Sequence, residues 1–278
     1  LKRVKPFHSY QHSGDIPEMP KKTYKPLSTC ERFDISDPKA VMLTERFDAM
    51  PAPGGPKLDV QTSVSDKHSE LLAQLPKASK SISYVLVEYC CSADSQLCDI
   101  RYRKTADGKT AVLVRLTEEV DMESESGLEF ALKLVEKYKS CALYLWGSIP
   151  CTMGSSIQNL NRGRPTYHQR MAYLRRQFLR LHKNFMKVAW EVSVLGGKIG
   201  FEWPTGNSLW KEPCVKSMVK TFDLQTVKFN GCKVGLTSKR GKPIFKPWTI
   251  KTDIHTVVAE FKDRKCVAID AKHVHDPC

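Results

Sequence analysis

The sequence lacks long apolar runs. No apolar segment approaches the ~18 residues that a membrane-spanning helix needs, and the N-terminus does not have the pattern of a secretory signal peptide. The ten cysteines lack the dense, even spacing of a small disulfide-stabilised module. We therefore expect a soluble intracellular protein, nuclear or cytoplasmic, with reduced thiols and no membrane partner. Because residue 1 is Leu, we also expect the chain to be part of a longer product.

Acidic residues are too few to balance the basic ones. The chain has 44 Lys and Arg against 30 Asp and Glu, which gives a formal net charge of +14 at pH 7. Such an excess indicates a polyphosphate partner, although anionic membranes attract it too. We expect the partner to be nucleic acid, DNA or RNA, while a solvated basic helix face would show the same pattern. The candidate contacts are Arg162, Arg164, Arg175, Arg176, Arg180 and Lys246.

The chain divides into three regions by composition. Residues 1–80 are rich in Pro and Lys and show a helical pattern only over Asp66 to Leu75, which predicts an extended basic arm. Residues 81–255 alternate between apolar runs and helical periodicity. Residues 256–278 form a short polar tail. At 41% apolar content, the chain is long enough for one large or two small domains.

The alternation in the middle region predicts an α/β domain with a doubly wound sheet and an antiparallel strand pair at its end. The predicted strands are Ser83–Cys91, Thr110–Met122, the apolar run Ala142–Trp146, Lys198–Pro204, Gln225–Asn230 and Pro243–Lys251. The predicted helices are Ala93–Arg103, Ser124–Tyr138, Thr166–Leu195 and Asn207–Phe222.

A Pro-Cys pair follows the buried run Ala142–Trp146. Parallel strands of this kind deliver the residues that follow them to the carboxyl edge of the sheet, where ligands bind. Glu202 lies near the end of the next strand, so we expect it at the same edge as Cys151. One interpretation makes Cys151 a nucleophile held by Pro150. The other makes it a small buried hydrophobic residue beside a turn.

Five segments between about residues 83 and 253 occur in the order of a known set of motifs. They are VEYCCSADSQL, VRLTEEVDM, LWGSIPCTMGSSIQNLN, GFEWPTGNSLW and GKPIFKPWTIKT. In this order they resemble the motifs of cytosine-5 DNA methyltransferases, and most closely the methyltransferase-like segments of dinoflagellate retroelement polyproteins. The resemblance implies a Rossmann-like methyltransferase sheet and S-adenosylmethionine as the cofactor. It also implies other segments of a larger polyprotein as partners.

The resemblance also implies roles for individual residues. Cys151 would add to carbon 6 of a flipped cytosine, which makes carbon 5 nucleophilic toward the methyl group of the cofactor. Glu202 would polarise or protonate ring nitrogen 3. Surface acids would also explain the carboxylates at positions 118 and 121. The cofactor-binding residues implied are Glu88, Cys90, Ser92, Glu118, Asp121 and Pro150.

Two features depart from the methyltransferase pattern. The segment Glu88–Ser95 has no glycine, whereas the family has a glycine-rich turn here that lets the backbone approach the cofactor. One strand is also missing before the Pro-Cys strand. The alternative function is therefore a catalytically inactive methyltransferase-like module, acting in nucleic-acid binding or assembly of a retroelement-derived protein. A cysteine hydrolase is a further alternative, and it would need a histidine base near Cys151. The positions of His168 and His182 in the sequence do not indicate that either one lies near Cys151.

The C-terminal tail carries a separate pattern of metal-ligating residue types. Two cysteines and two histidines are arranged as C-x6-H-x-H-x2-C, which is a sufficient tetrahedral set for a structural zinc ion. A solvated tail with incidental histidines is the alternative. The predicted ligands are Cys266, His273, His275 and Cys278. We expect Cys214 and Cys232 to pack in the protein interior.

Overall fold

The computed structural model describes residues 61–99, 103–105, 108–267 and 274–276. These residues form an α/β fold in which a six-stranded mixed sheet, mostly parallel, is flanked by helices. Residues 1–60 of the predicted arm (residues 1–80) lie outside the described residues, as do the predicted metal ligands His273 and Cys278. None of the described helices is long and apolar enough to cross a membrane.

Strands and helices alternate along most of the described chain. The strands are β1 (Ile82–Tyr89), β2 (Thr110–Leu116), β3 (Ala142–Gly147), β4 (Lys198–Pro204), β5 (Gln225–Asn230) and β6 (Pro247–Thr252). The helices are α1 (Gln61–Gln74), α2 (Glu125–Lys137), α3 (Tyr167–Val194), α4 (Pro213–Thr221) and α5 (His255–Phe261). Short 3-10 helices lie in the connections at Glu118–Val120, Thr152–Gly154, Ser156–Asn161, Ser208–Lys211 and Gly231–Val234.

The strand order of the sheet is β2-β1-β3-β4-β6-β5. β1 pairs in parallel with β2 and β3, and β3 pairs in parallel with β4. β6 is antiparallel to both β4 and β5, which confirms the antiparallel pair predicted at the end of the domain. The direction of strand progression reverses between β1 and β3. Since ligands bind outside the carboxyl ends of strands at such a reversal, the ends of β1 and β3 flank the expected site.

The main hydrophobic core lies between one face of the sheet and helices α2, α3 and α4. Alternate side chains of β1, such as Val85, Val87 and Tyr89, point into this core because successive residues of a strand face opposite sides. Ala131 of α2 and Phe185 of α3 are fully buried against them. Burial of each large apolar side chain contributes about 1.5–3 kcal/mol, so this layer holds the strand ends in place.

The opposite face of the sheet carries a smaller cluster that α5 covers. It contains Trp146, Val227, Phe229 and Ile250. Trp146 lies directly over position 200, where a Cβ atom would come within 2.2 Å of the indole ring. Only glycine leaves room for the ring at this position, and Gly200 thereby allows Trp146 to lie next to Glu202.

Two predicted helices, Ser124–Tyr138 and Thr166–Leu195, are confirmed. Helix α2 begins after Ser124, whose hydroxyl accepts a hydrogen bond from the amide of Gly127 at 3.0 Å, as expected of an N-cap. Helix α3 lies within the predicted bounds, and Gly196 follows it with φ +76°. Left-handed glycines of this kind commonly end helices.

Three predicted elements differ from the structure. The helix predicted over Asn207–Phe222 is divided, because Pro213 has no amide proton and begins a separate helix, α4, in which it occupies the first turn. Ala93–Cys98 forms turns rather than a helix. The strand predicted to reach Met122 ends at Leu116, where the chain enters a 3-10 turn that ends with Asp121 at φ 49°.

Helix α1 packs against the α/β body next to α2. Lys137 donates hydrogen bonds to the carbonyl groups of Leu72 and Leu75 at 2.6 and 2.9 Å. The hydroxyl of Tyr138 donates to the carbonyl of Pro76 at 2.6 Å. The last part of the segment predicted as an arm therefore contacts the body through its backbone.

Candidate functional site

The Pro-Cys turn after β3 is held by residues that belong to or follow β4. The indole N–H of Trp203 donates to the carbonyl of Ile149 at 2.6 Å. The side-chain amide of Asn207 donates to the carbonyl of Cys151 at 2.7 Å. Pro150 is exposed, whereas Cys151 is partly buried against the main core. The turn is thus fixed through its backbone while the thiol keeps some access to solvent.

Cys151 has a backbone conformation between the main allowed regions. Its φ and ψ angles are −89° and 3°, in the sparsely populated bridge region where active-site residues are often found. It precedes the 3-10 helix Thr152–Gly154. The conformation fits a turn that presents a side chain at a strand end, and it is equally compatible with a tight structural turn.

Glu202 lies on the face of the sheet opposite Trp203. Burial and, after it, the nearby carboxylate of Glu88 raise the pKa of the Glu202 carboxyl to about 7, although a hydrogen bond from Trp146 and the charge of Lys246 lower it. Cys151 packs on the other side, with the cluster that contains Trp203. The structure therefore places the two predicted catalytic residues at the ends of neighbouring strands, with their side chains in contact with different groups.

Glu88 is buried at the end of β1, with only 4% of its surface exposed. It accepts a hydrogen bond from the Ser95 hydroxyl at 2.6 Å. Its neighbour across the sheet, Arg115, donates to the carbonyl groups of Ser95 and Cys98 at 2.7 Å each. Glu88 and Arg115 thus anchor the connection that follows β1.

Two buried thiols in the same connection are poor nucleophiles. Burial, followed by the charge of Glu88, raises the pKa of Cys91 to about 12. Burial and Glu88 also raise the pKa of Cys98. Because only a thiolate reacts readily, these two cysteines are structural rather than catalytic.

The turn after β1 was expected to hold the cofactor, and it is filled by its own side chains. Cys90 adopts φ 60°, the left-handed conformation that a glycine would supply in a glycine-rich turn. Its thiol is buried beside Cys91, Glu123 and Asp121, and burial raises its pKa. This side chain and the Cys91–Cys98 connection thus pack where the methyltransferase pattern has a glycine-rich turn.

The other residues implied for cofactor binding follow the ends of β1 and β2. Ser92 is exposed and donates to Asp94 at 2.6 Å. Glu118 and Asp121 are exposed surface residues at the end of β2. The structure thus brings Asp121 close to Cys90 at the ends of two neighbouring strands.

The best-formed cavities in the described part of the chain lie away from these strand ends. A cavity of about 30 Å³ is lined by His68, Ser69, Leu72, Ser126, Glu129, Phe130 and Lys133. A shallow one of about 320 Å³ is lined by Thr226, Val227, Lys228, Val258, Lys262 and Lys265. Neither touches Cys151, Glu88 or Glu202.

The predicted nucleic-acid contacts fall into two groups. Arg162, Arg164 and Arg180 are exposed, and Arg176 is half-buried. Arg175 instead pairs with Glu212 at 3.2 and 3.3 Å and thereby joins α3 to the start of α4. The ammonium group of Lys246 lies 4.4 Å from the centre of the Trp248 ring and close to Glu202.

Helix α3 presents a regular line of basic and aromatic side chains away from the core. Successive members are three or four residues apart, so they lie on one side of the helix, opposite Phe178, Phe185 and Val192. Tyr173 and Trp190 are 55% and 44% exposed at the two ends of the line. We call this line the α3 stripe: Tyr173, Arg176, Arg180, Lys183, Lys187 and Trp190. Tyr173 and Trp190 were not predicted as contacts, although their spacing from the basic residues can be read from the sequence.

Three metal-ligating side chains converge beyond the end of β5. The ligand atoms of Cys232, Cys266 and His275 all lie within 4.8 Å of one another, so the group could hold a metal ion. Cys266 and His275 belong to the predicted set. Cys232, which was expected to pack and was not among the predicted ligands, is partly buried in the turn Gly231–Val234.

A scan against protein-family models, a search of curated proteins and a search of solved structures each find no match for this chain.

Proposed function

We propose that the chain is a nucleic-acid-binding domain built on a methyltransferase-like α/β scaffold and that it acts within a larger polyprotein. The α3 stripe is the observation that carries this proposal. Four cations lie along a rigid helix whose opposite face is buried, and an exposed aromatic ring lies at each end. Basic grooves interleaved with stacking rings are how proteins bind single strands without sequence preference.

The charge around the stripe favours a polyanion. No Asp or Glu occurs from Lys137 to Trp190, a stretch that includes the Pro-Cys turn and most of α3. The 28 residues of α3 extend over about 42 Å. Arg176 and Lys187 are therefore separated by about 16 Å, roughly five nucleotide steps along one strand.

The loop that leads into α3 extends the same surface. Arg162 and Arg164 are exposed there, and Ile157 and Leu160 are 65% and 84% exposed beside them. Apolar side chains at such positions can contact bases, while the arginines contact phosphates. The loop begins at the Pro-Cys turn, and we include this turn in the proposed surface.

The sheet supports the scaffold part of the proposal. A dinucleotide-binding doubly wound sheet has the strand order 3-2-1-4-5-6. Without its edge strand 3, the remaining 2-1-4-5 has the pattern of β2-β1-β3-β4, and a missing strand was expected at this place. The antiparallel β6 between β4 and β5 is the point at which the two orders differ.

The stripe is tested by replacing its four cations with glutamine, in a variant carrying R176Q, R180Q, K183Q and K187Q. Fluorescence anisotropy with a labelled single-stranded oligonucleotide would give the dissociation constant between 50 and 300 mM salt. Since each phosphate contact adds about 0.7 to the salt slope for single strands, we expect the slope to fall by roughly 3.

The matched control removes the same charge elsewhere. Lys211, Lys216, Lys220 and Lys228 are exposed on other elements, and their glutamine variant should bind nearly as well as the wild type. Equal losses in both variants would mean that overall charge, not the stripe, drives binding. Separately, Y173A and W190A should weaken single-strand binding by about 1–3 kcal/mol per lost stack.

Cytosine chemistry is a second candidate function, and the raised pKa of the Glu202 carboxyl favours it. A carboxyl with a pKa of about 7 carries a proton about half of the time at neutral pH, which suits a group that protonates ring nitrogen 3 as a thiolate adds to carbon 6. Addition of Cys151 would let the hydrogen on carbon 5 exchange with solvent before the thiolate leaves.

This exchange needs no cofactor, so it tests the base chemistry alone. Nucleic acid deuterated at carbon 5 of cytosine should lose its label with wild-type protein and keep it with C151A. Retention of the label with wild-type protein would exclude cytosine addition and leave the binding function standing. Calorimetry with S-adenosylmethionine should show no binding, because Cys90 and the packed Cys91–Cys98 connection stand in place of a glycine-rich turn.

A further inference from the structure

We propose that Cys232, Cys266 and His275 form a structural zinc site that clamps the C-terminal segment to the end of the sheet. Cys232 lies in the 3-10 turn that follows β5, Cys266 lies after α5, and His275 lies in the tail. The three ligands thus come from three separate segments. Two thiols and an imidazole are donors that zinc prefers.

The distance between two of the ligand atoms matches metal geometry. Cys266 Sγ and His275 Nε2 are 3.6 Å apart. A tetrahedral zinc ion with a Zn–S distance of about 2.3 Å and a Zn–N distance of about 2.1 Å separates its sulfur and nitrogen ligands by roughly 3.6 Å. The side chains therefore already lie at the separation that a shared ion would impose.

The backbone around each ligand is held in place by neighbours. The amide of Cys266 donates to the side chain of Asn230 at 2.7 Å, and Asn230 precedes the turn of Cys232. Beside His275, Asp276 accepts from the Ser238 hydroxyl at 2.6 Å and from Arg240 at 3.0 Å. Such outer contacts orient ligands before a metal binds.

The ring of His275 is packed as well as hydrogen-bonded. Its centre lies 5.4 Å from that of Phe245 in an edge-to-face arrangement. Phe245 is in the loop before β6, and the amide of Asp276 donates to Pro243 in the same loop at 2.9 Å. The tail is therefore aligned with the β5–β6 end of the sheet, where Cys232 lies.

Three protein ligands leave one position of a tetrahedron to fill. His273 and Cys278, which the sequence predicts as ligands, lie outside the described residues. The fourth ligand can be identified spectroscopically, because the sulfur-to-metal charge-transfer absorption of a cobalt(II) substitute increases with the number of bound thiolates. Substitution of Cys278 by Ala would reduce this absorption by about a third in a three-thiolate site.

The test measures metal content and cobalt spectra of the full purified chain. We expect about one zinc per chain in the wild-type protein, and a cobalt spectrum of tetrahedral type after exchange. Cys232→Ala, Cys266→Ala and His275→Ala should each lose most of the zinc. The control is Cys214→Ala on α4, a partly buried cysteine outside the group, which should keep it.

A conservative variant separates ligation from a general effect on folding. Cys232→His retains a ligand but removes one thiolate, so cobalt should still bind with weaker charge-transfer absorption. Wild-type protein that takes up neither zinc nor cobalt would overturn the proposal, as would a disulfide between Cys232 and Cys266 in protein purified with reductant. Full zinc retention by Cys232→Ala would do the same.

Discussion

Glu202 on β4 lies close to Glu88 on β1, on the same face of the sheet and with Trp146 of β3 beside both. The negative charge of Glu88 adds to the effect of burial and raises the pKa of Glu202 to about 7. A carboxyl at a strand end therefore exchanges its proton near neutral pH. The raised pKa results because β1, β3 and β4 place Glu88, Trp146 and Glu202 at one edge of the sheet.

The raised pKa of Glu202 predicts a pH-dependent stability. The folded state holds a proton that the unfolded state, with a pKa near 4.5, releases, so stability should fall as pH rises from about 4.5 through 7. The upper limit of this loss is about 3 kcal/mol. Urea unfolding between pH 5 and 8 would measure it, and Glu202→Gln should flatten the profile.

A surface acid provides the comparison for that experiment. Glu118 is exposed at the end of β2, and Glu118→Gln should leave the pH profile of the wild type unchanged. A profile for Glu202→Gln that still falls between pH 5 and 7 would contradict the assignment of the titration to Glu202.

Gly127 is expected to be intolerant of any side chain. A Cβ atom there would lie 2.3 Å from the carbonyl oxygen of Asp121 and 2.5 Å from that of Val120, and backbone cannot move aside without displacing the turn after β2. We expect Gly127→Ala to lower the free energy of unfolding by about 2–4 kcal/mol. Gly163→Ala, where nothing lies within 4 Å, should be nearly neutral in the same urea titration.

Asn207 should control the conformation of the Pro-Cys turn. Its side chain donates to the Cys151 carbonyl and accepts from the amide of Leu209 at 2.9 Å, while only 5% of it is exposed. Asn207→Ala leaves the carbonyl of Cys151 unpaired, so we expect a loss of about 1–3 kcal/mol. Alkylation of Cys151, followed by mass spectrometry, should become faster.

An aspartate at position 207 distinguishes the two hydrogen bonds. Asn207→Asp keeps the acceptor for Leu209 and removes the donor to Cys151. Faster alkylation in this variant would assign the restraint to the Cys151 contact, whereas wild-type rates would assign it to the turn at Leu209. The exposed residue Asn159 offers a neutral control.

The thiols of the β1–β2 connection should react slowly in the folded protein. At pH 8, a thiol with a pKa of about 12 is almost entirely protonated, so iodoacetamide should leave Cys91 unmodified. Glu88→Gln removes a charge that raises the pKa of Cys91 and Cys98, and their labelling should accelerate. The pKa of Cys90 is raised by other neighbours, so its slow labelling should not change.

The sequence predicts the parts of the fold that depend on local patterns. The bounds of β4 and β5 match the prediction, and Ser124 caps α2, because alternation and capping are written in neighbouring residues. The position of β6 between β4 and β5 depends on contacts between distant segments. The periodicity of apolar residues along the sequence does not indicate the order of strands in the sheet.

The candidate site was predicted less completely than the fold. The edge shared by the Pro-Cys turn and β4 follows from strand order, but the face on which each side chain lies depends on register. Cys232 was missed because its partners are distant in sequence and only the turn after β5 brings them close. The segment after β1 contains no glycine. This absence already indicated that side chains would pack in that turn.

The antiparallel insertion of β6 affects how the chain can be assembled. Among the described strands, β5 bonds only to β6, which comes later in the sequence. A nascent chain that has emerged only as far as Lys246 has no strand with which β5 can pair, and Val227 and Phe229 remain without the cover of α5. Pairing of β5 and β6 therefore requires synthesis to have passed Thr252, and shortening the chain before Pro247 should leave an aggregation-prone β5.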